Sequence, residues 1–75
     1  MTDRVKIFGK DTWPYTTSAR EAYSKEGKDV EYIDVFAGKE EMNAMLKFSN
    51  GKRKVPVIVE DDTVTIGFNG GTWGV

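Results

Sequence analysis

Apolar and polar positions fall into four short β-like blocks and two longer helical ones along the chain. Val5-Lys6-Ile7-Phe8 is short, rich in β-formers and stops at Gly9, which predicts a buried first strand. Ala19, Ala22 and Tyr23 then recur at helical spacing, a narrow apolar stripe that predicts a helix from about Thr16 to about Glu26 facing a sheet. Thr16, Thr17 or Ser18 can cap it, Ser18 and Glu21 have capping-box spacing, and Gly27 supplies a left-handed stop.

Val30-Glu31-Tyr32-Ile33-Asp34-Val35 reads as a second strand, apolar enough to lie in the sheet interior. A second helix is predicted from Lys39 to about Ser49, with Gly51 as its stop and Met42, Met45 and Leu46 on one face. Methionine and leucine at that spacing are core, not a cofactor box, and the helix covers the sheet's other side. Pro56-Val57-Ile58-Val59 and Thr63-Val64-Thr65-Ile66 flank Glu60-Asp61-Asp62, so they read as a hairpin whose acidic residues serve the turn rather than a metal. Gly67 to Val75 reads as loop, without the strand and helix context of a phosphate loop. The expected class is α/β: one domain over residues 1–75, ordered β-α-β-α-β-β around a small mixed sheet, with a right-handed crossover between the first two strands.

Composition narrows the chemistry. The 75 residues hold no cysteine and no histidine, which removes disulfides, thiolate metal sites and imidazole catalysis from the chain as it stands. Eleven basic against twelve acidic residues leave a net charge of −1, with no general attraction to nucleic acid or an anionic membrane. No apolar run has the length of a membrane span, and Met1-Thr2-Asp3-Arg4 opens into mixed polar sequence, so a cytoplasmic, non-exported monomer is expected.

Between the first strand and first helix lies Lys10-Asp11-Thr12-Trp13-Pro14-Tyr15-Thr16, and a Val55-Pro56 pair opens the third strand. With the element order, these residues resemble the glutaredoxins and glutaredoxin-like redoxins of the thioredoxin superfamily over nearly the whole chain. The resemblance implies a thioredoxin-like fold of glutaredoxin type. It also implies an active edge made of a lysine three residues before a nucleophilic cysteine, a Cys-Pro-Tyr-Cys or Cys-Pro-Tyr-Ser-like turn, and a later Val-Pro with a cis bond. Lys10, Pro14, Tyr15, Val55 and Pro56 occupy those places; Trp13 stands at the nucleophile and Thr16 at the resolving cysteine.

A redox cysteine sits at a helix N-terminus because backbone N–H groups and the macrodipole lower the thiolate pKa. An indole gains nothing there, yet Lys10, which assists an anion, and Thr16, which hydrogen-bonds one, are retained. Tryptophan (UGG) differs by one base from selenocysteine (UGA) and from cysteine (UGC or UGU). This suggests a parent with selenocysteine or cysteine at position 13, in a U-x-x-T arrangement. Trp73, in Gly70-Gly71-Thr72-Trp73-Gly74, has the same codon relation, and the family fold brings that segment beside the active turn, where a second chalcogen would act as resolving partner.

The family pattern is incomplete elsewhere. Glutaredoxins carry Gly-Gly followed by an aspartate that helps bind the γ-glutamyl end of glutathione, whereas this chain has Gly67-Phe68-Asn69-Gly70; Gly67-Phe68 looks more like redoxins reduced by thioredoxin reductase. Lys54 replaces the usual threonine of Thr-Val-Pro, and Arg53, in the run Lys52-Arg53-Lys54, is a candidate for a substrate carboxylate. The family's third helix, which packs beside helix one, is expected to be missing after Val75, leaving apolar surface there. The implied parent is a thiol- or selenol-disulfide oxidoreductase with no bound cofactor. It acts on a disulfide-containing protein or glutathione and draws electrons from glutathione or a thioredoxin reductase. The chain as written is expected to be inactive. The alternative is a degenerate redoxin that binds peptides or glutathione without catalysis.

Overall fold

The computed structural model describes residues 4–10, 13–68 and 70–75; Met1, Thr2, Asp3 and three members of the motifs above, Asp11, Thr12 and Asn69, lie outside the described residues. In chain order the elements are β1 (Arg4–Gly9), α1 (Pro14–Lys25), β2 (Asp29–Asp34), α2 (Lys39–Ser49), β3 (Lys54–Val55), β4 (Val57–Glu60), β5 (Thr63–Ile66) and β6 (Trp73–Gly74). Four strands form one sheet in the order β2-β1-β4-β5, and β3 pairs with β6 in a separate two-stranded ribbon. β1 runs parallel to β2, with Val5 opposite Val30 and Phe8 opposite Ile33, and antiparallel to β4, with Ile7 opposite Ile58. This is the expected mixed α/β architecture.

The period-2 pattern of β1 and β4 divides the core into two layers. Val5, Ile7 and Ile58 point to one face and are buried beneath Ala19 of α1, with Tyr23, Val30 and Phe68 around them. Phe8, Val57 and Val59 point to the other, where Met45, Met42 and Leu46 of α2 pack over them. The apolar face expected to lie open beside α1 is therefore closed: Phe68 lies against Tyr23, ring centroids 6.5 Å apart, and Val5 and Ile7 are fully buried. Among the described residues no helix is long and apolar enough to cross a membrane.

Three local expectations need correction. β2 is an edge strand, not an interior one, because β1 takes β4 on its other side; Asp29 and Glu31 lie exposed along it. α1 begins at Pro14 rather than Thr16. The residue before a proline is pushed out of the helical region, so Trp13 is extended (φ −90°, ψ 119°), while Pro14 brings a helical φ and no N–H to satisfy at the first position. Ser18 and Glu21 consequently lie inside the helix and form no capping box. α2 ends on two consecutive left-handed residues, Asn50 (φ 59°) and Gly51 (φ 84°), so the asparagine makes the turn that Gly51 was expected to make alone. Gly27 ends α1 in the left-handed region as the sequence indicates (φ 81°), and Asp61 (φ 52°) turns the β4–β5 hairpin.

The seat of α1 on β1 is set at one point. An added Cβ on Gly9 would lie 2.5 Å from Thr16 Cγ2 and 2.6 Å from Thr16 Oγ1, so only glycine lets the first turn of α1 descend onto the end of β1. Gly9→Ala is expected to lower stability by about 1–3 kcal/mol through overpacking, read as a shift of the urea midpoint; an unchanged midpoint would mean that α1 lifts from β1 without cost.

Candidate active site

Chain geometry between β1 and α1 fixes position 13. The Trp13 N–H donates to the carbonyl of Lys10 (3.0 Å), and the Trp13 carbonyl accepts from the N–H of Thr16 (3.0 Å) and of Thr17 (3.4 Å). Trp13 is thus the N-cap of α1, and its side chain stands at the positive end of a 12-residue helix. An anion held there is stabilised by roughly 0.3–1 kcal/mol from the helix dipole at an exposed site, and more where partly buried. A neutral indole draws no such benefit.

The polar atoms around position 13 are poorly served. Trp13 Nε1 and Thr16 Oγ1 are both buried and have no hydrogen-bond partner among the described residues. A buried donor left unpaired costs about 1–3 kcal/mol. Thr16 is fully buried, wedged against Gly9. Lys10 shares the turn through its backbone, but its ammonium lies over the Phe36 ring, 5.4 Å from the centroid, a cation–π contact with no sequence signature. Pro14 is exposed at the first helical position.

Opposite this turn, the Val55–Pro56 peptide bond is cis and both residues are buried. Trp13 packs against the cluster that contains Val55. Gly67 joins the wall: its N–H donates to the Pro56 carbonyl (2.7 Å) at φ 98°, a conformation open to glycine. Phe68 and Gly71 then exchange backbone hydrogen bonds (3.1 and 2.9 Å), reversing the chain so that β6 runs antiparallel along β3, Lys54 opposite Gly74 and Val55 opposite Trp73. Arg53 clasps the end of this ribbon. Its carbonyl accepts from the Val75 N–H (2.9 Å) and its Nε donates to the Val75 carbonyl oxygen (2.8 Å).

The reversal assembles an aromatic cluster. Trp13 and Trp73 have ring centroids 4.5 Å apart, and Trp13 and Tyr15 5.4 Å, all in tilted arrangements. Such pairs contribute about 0.5–1.5 kcal/mol each beyond the area they bury. The Tyr15 ring lies flat on Gly71, where any side chain would collide with it. The structure therefore brings Trp13, Tyr15, Trp73, Val55, Pro56 and Gly67 to one edge, turns the Lys10 ammonium to Phe36, and commits Arg53 to Val75.

Gly71, Phe36 and Val75 are participants that the sequence did not flag. The Gly70-Gly71 pair followed by Thr72-Trp73 is a reversal signal, but a two-residue strand is too short for periodicity to show. Among the described residues no group of three or more His, Cys, Asp or Glu is placed to hold a metal ion.

Comparison with known proteins agrees with this geometry. The family model for glutaredoxin matches residues 5–64. A glutaredoxin from Archaeoglobus fulgidus shares 30% identity with a TM-score of 0.73, over 92% of this chain and 78% of its own. The glutaredoxin-like NrdH-redoxin from Escherichia coli, described as having a thioredoxin-like activity profile, shares 27% identity with a TM-score of 0.74, over 88% of this chain and 84% of its own. No curated protein matches. With two helices on a mixed sheet, a proline-headed helix at the end of β1 and a Val-Pro wall beside it, the chain belongs to the glutaredoxin family of redox proteins with the thioredoxin fold.

Proposed function

We propose that this chain is the tryptophan-bearing form of a thiol- or selenol-disulfide oxidoreductase whose parent carries selenocysteine or cysteine at position 13. The observation that carries the reading is the misfit of Trp13: it caps α1 where an anion is favoured, yet it buries an indole N–H that has no partner among the described residues. In the parent, the chalcogen anion at position 13 attacks a disulfide, forms the mixed disulfide and expels one thiolate; a second thiol then releases the substrate. Thr16 Oγ1, buried and without a partner among the described residues, donates to that anion, and Lys10 adds positive charge from the same turn. Pro14 sets the helix start, Tyr15 borders the nucleophile, and Val55 with Pro56 and Gly67 forms the edge for a protein disulfide or glutathione.

Gly67-Phe68 and the likeness to NrdH-redoxin favour a thioredoxin reductase over glutathione as electron donor. The cysteine-free composition suits a reducing compartment, and we assign the protein to the cytoplasm as a monomer. As written, without a thiol or selenol, the chain is catalytically silent.

Trp13→Cys is expected to create disulfide reductase activity at least about tenfold above background with glutathione or thioredoxin reductase as donor. A folded variant that reduces nothing with either donor refutes the proposal. In that background, Lys10→Met should slow alkylation by iodoacetamide at neutral pH about threefold, because removing the cation disfavours the thiolate; an unaltered rate would leave Lys10 to its Phe36 contact alone.

The aromatic cluster supports a second reading, in which Trp13, Tyr15 and Trp73 hold an extended peptide without chemistry. Titration of the unaltered chain with disulfide-free peptides would then shift the Trp13 and Trp73 indole N–H resonances, and static resonances would exclude it.

A further inference from the structure

β3 is a single extended pair of residues, Lys54 and Val55, beside the proposed nucleophile, and the chain itself already pairs with its edge. The bond from the Val75 N–H to the Arg53 carbonyl marks a hydrogen-bonded position of the ribbon. Since such positions alternate in an antiparallel ladder, Val55 and Trp73, two residues further in, form the next hydrogen-bonded pair. An extended peptide adding to this edge would use those same backbone groups. β6 therefore lies where such a peptide would lie, clasped by Arg53 at Val75 and held by the Trp13–Trp73 contact.

Position 16 is a poor second redox centre. Thr16 is fully buried against Gly9, and its hydroxyl can donate to an anion but cannot form a covalent bond to sulfur. Position 73 differs on each count: Trp73 is 48% exposed and its ring touches the ring at position 13. The chain has two tryptophans, both one base from a chalcogen codon, and the fold brings these two together.

Resting on the reading of position 13 as nucleophile, we propose that residues 70–75 form a resolving arm. The arm docks on β3 as a tethered extended peptide and presents position 73 to position 13, so that the parent's second chalcogen is at position 73. The chemistry balances. The anion at position 13 attacks a substrate disulfide, bonds to one sulfur and expels the other as thiolate. The anion at position 73 then attacks the chalcogen at position 13, the 13–73 bond forms, and the remaining substrate sulfur leaves as thiolate. The substrate is reduced by two electrons and the pair oxidised by two; an external dithiol or thiol reductant restores it. Tethering gives the second step an effective concentration in the millimolar range for a short linker.

The test uses the full chain with Trp13→Cys alone and with Trp13→Cys/Trp73→Cys, each treated with one equivalent of oxidised glutathione and followed by intact mass. The single variant should stop at the glutathione mixed disulfide. The double variant should go on to an intramolecular disulfide, losing glutathione. Adding Val75→Pro to the double variant removes the N–H that bonds Arg53 and should slow closure about tenfold, whereas Val75→Ala should not.

A double variant that is folded by circular dichroism but stays at the mixed disulfide, or that only cross-links between molecules, overturns the arm while leaving position 13 intact. Closure insensitive to Val75→Pro overturns docking on β3. A single variant that fails to form even the mixed disulfide overturns the reading of position 13 itself. Independently of folding, the source gene should read TGA, TGC or TGT at codon 73 as well as at codon 13; a TGG at codon 73 beside a chalcogen codon at 13 overturns the arm.

Discussion

The close approach of Gly9 to Thr16 is the constraint on which the rest of the molecule depends. β1 is the central partner of both β2 and β4, and α1 is the crossover between the parallel pair β1 and β2. A crossover helix packs on its sheet at a depth set by the smallest side chains at the contact, here a glycine facing a threonine, with Ala19 one turn further along. That depth sets the level of the helix N-terminus relative to the sheet edge, and Trp13 packs against the cluster containing Val55 as a result. The same buried threonine that anchors the helix has a hydroxyl with no partner among the described residues, in the first turn behind the residue that caps it. Packing and chemistry meet in one side chain.

The second wall is built by a different means. Lys54, Val55, Trp73 and Gly74 belong to no large sheet; Val55 is anchored in the core, while Trp73 and Gly74 are held to it by backbone hydrogen bonds and two glycines. Gly67 bonds to Pro56 and admits Thr72 close to its Cα, while Gly71 gives Tyr15 a flat surface. β6 is exposed at both of its residues, so it opens at lower free energy than β1 or β4. The rigid half of the site thus holds the helix dipole, and the looser half carries the segment that must move if anything else is to reach Val55.

Much of this was legible in the sequence, for physical reasons that differ by element. The alternation in β1 and the Met42, Met45 and Leu46 stripe of α2 report burial directly, because each position's neighbours are dictated by period alone. Hydroxyl residues at 16–18 are better caps than an indole at 13 and point to a later start for α1, but the backbone restriction imposed by Pro14 outweighs cap preference. Apolar content says that β2 is half-buried but not which neighbours it has, so its place at the sheet edge is not legible. β6 has no sequence signature: two residues have no period, and their pairing is decided by the turn at Phe68 and Gly71 and by Arg53, whose charge by itself points to a substrate. The site residues on regular elements were found by position. Those whose role is to bend the chain, Gly71 above all, carry no chemical signature of their own.

The contact between Trp13 and Trp73 has a spectroscopic side. These are the chain's two tryptophans, and one contact joins a helix cap to a strand from the other end of the sequence. The indole emission of the protein therefore originates at a single place, the edge formed by Val55 and Pro56, with a tyrosine at energy-transfer distance. Whatever separates β6 from β3 alters the polarity around both emitters at once. The protein carries its own optical reporter for the state of the cleft.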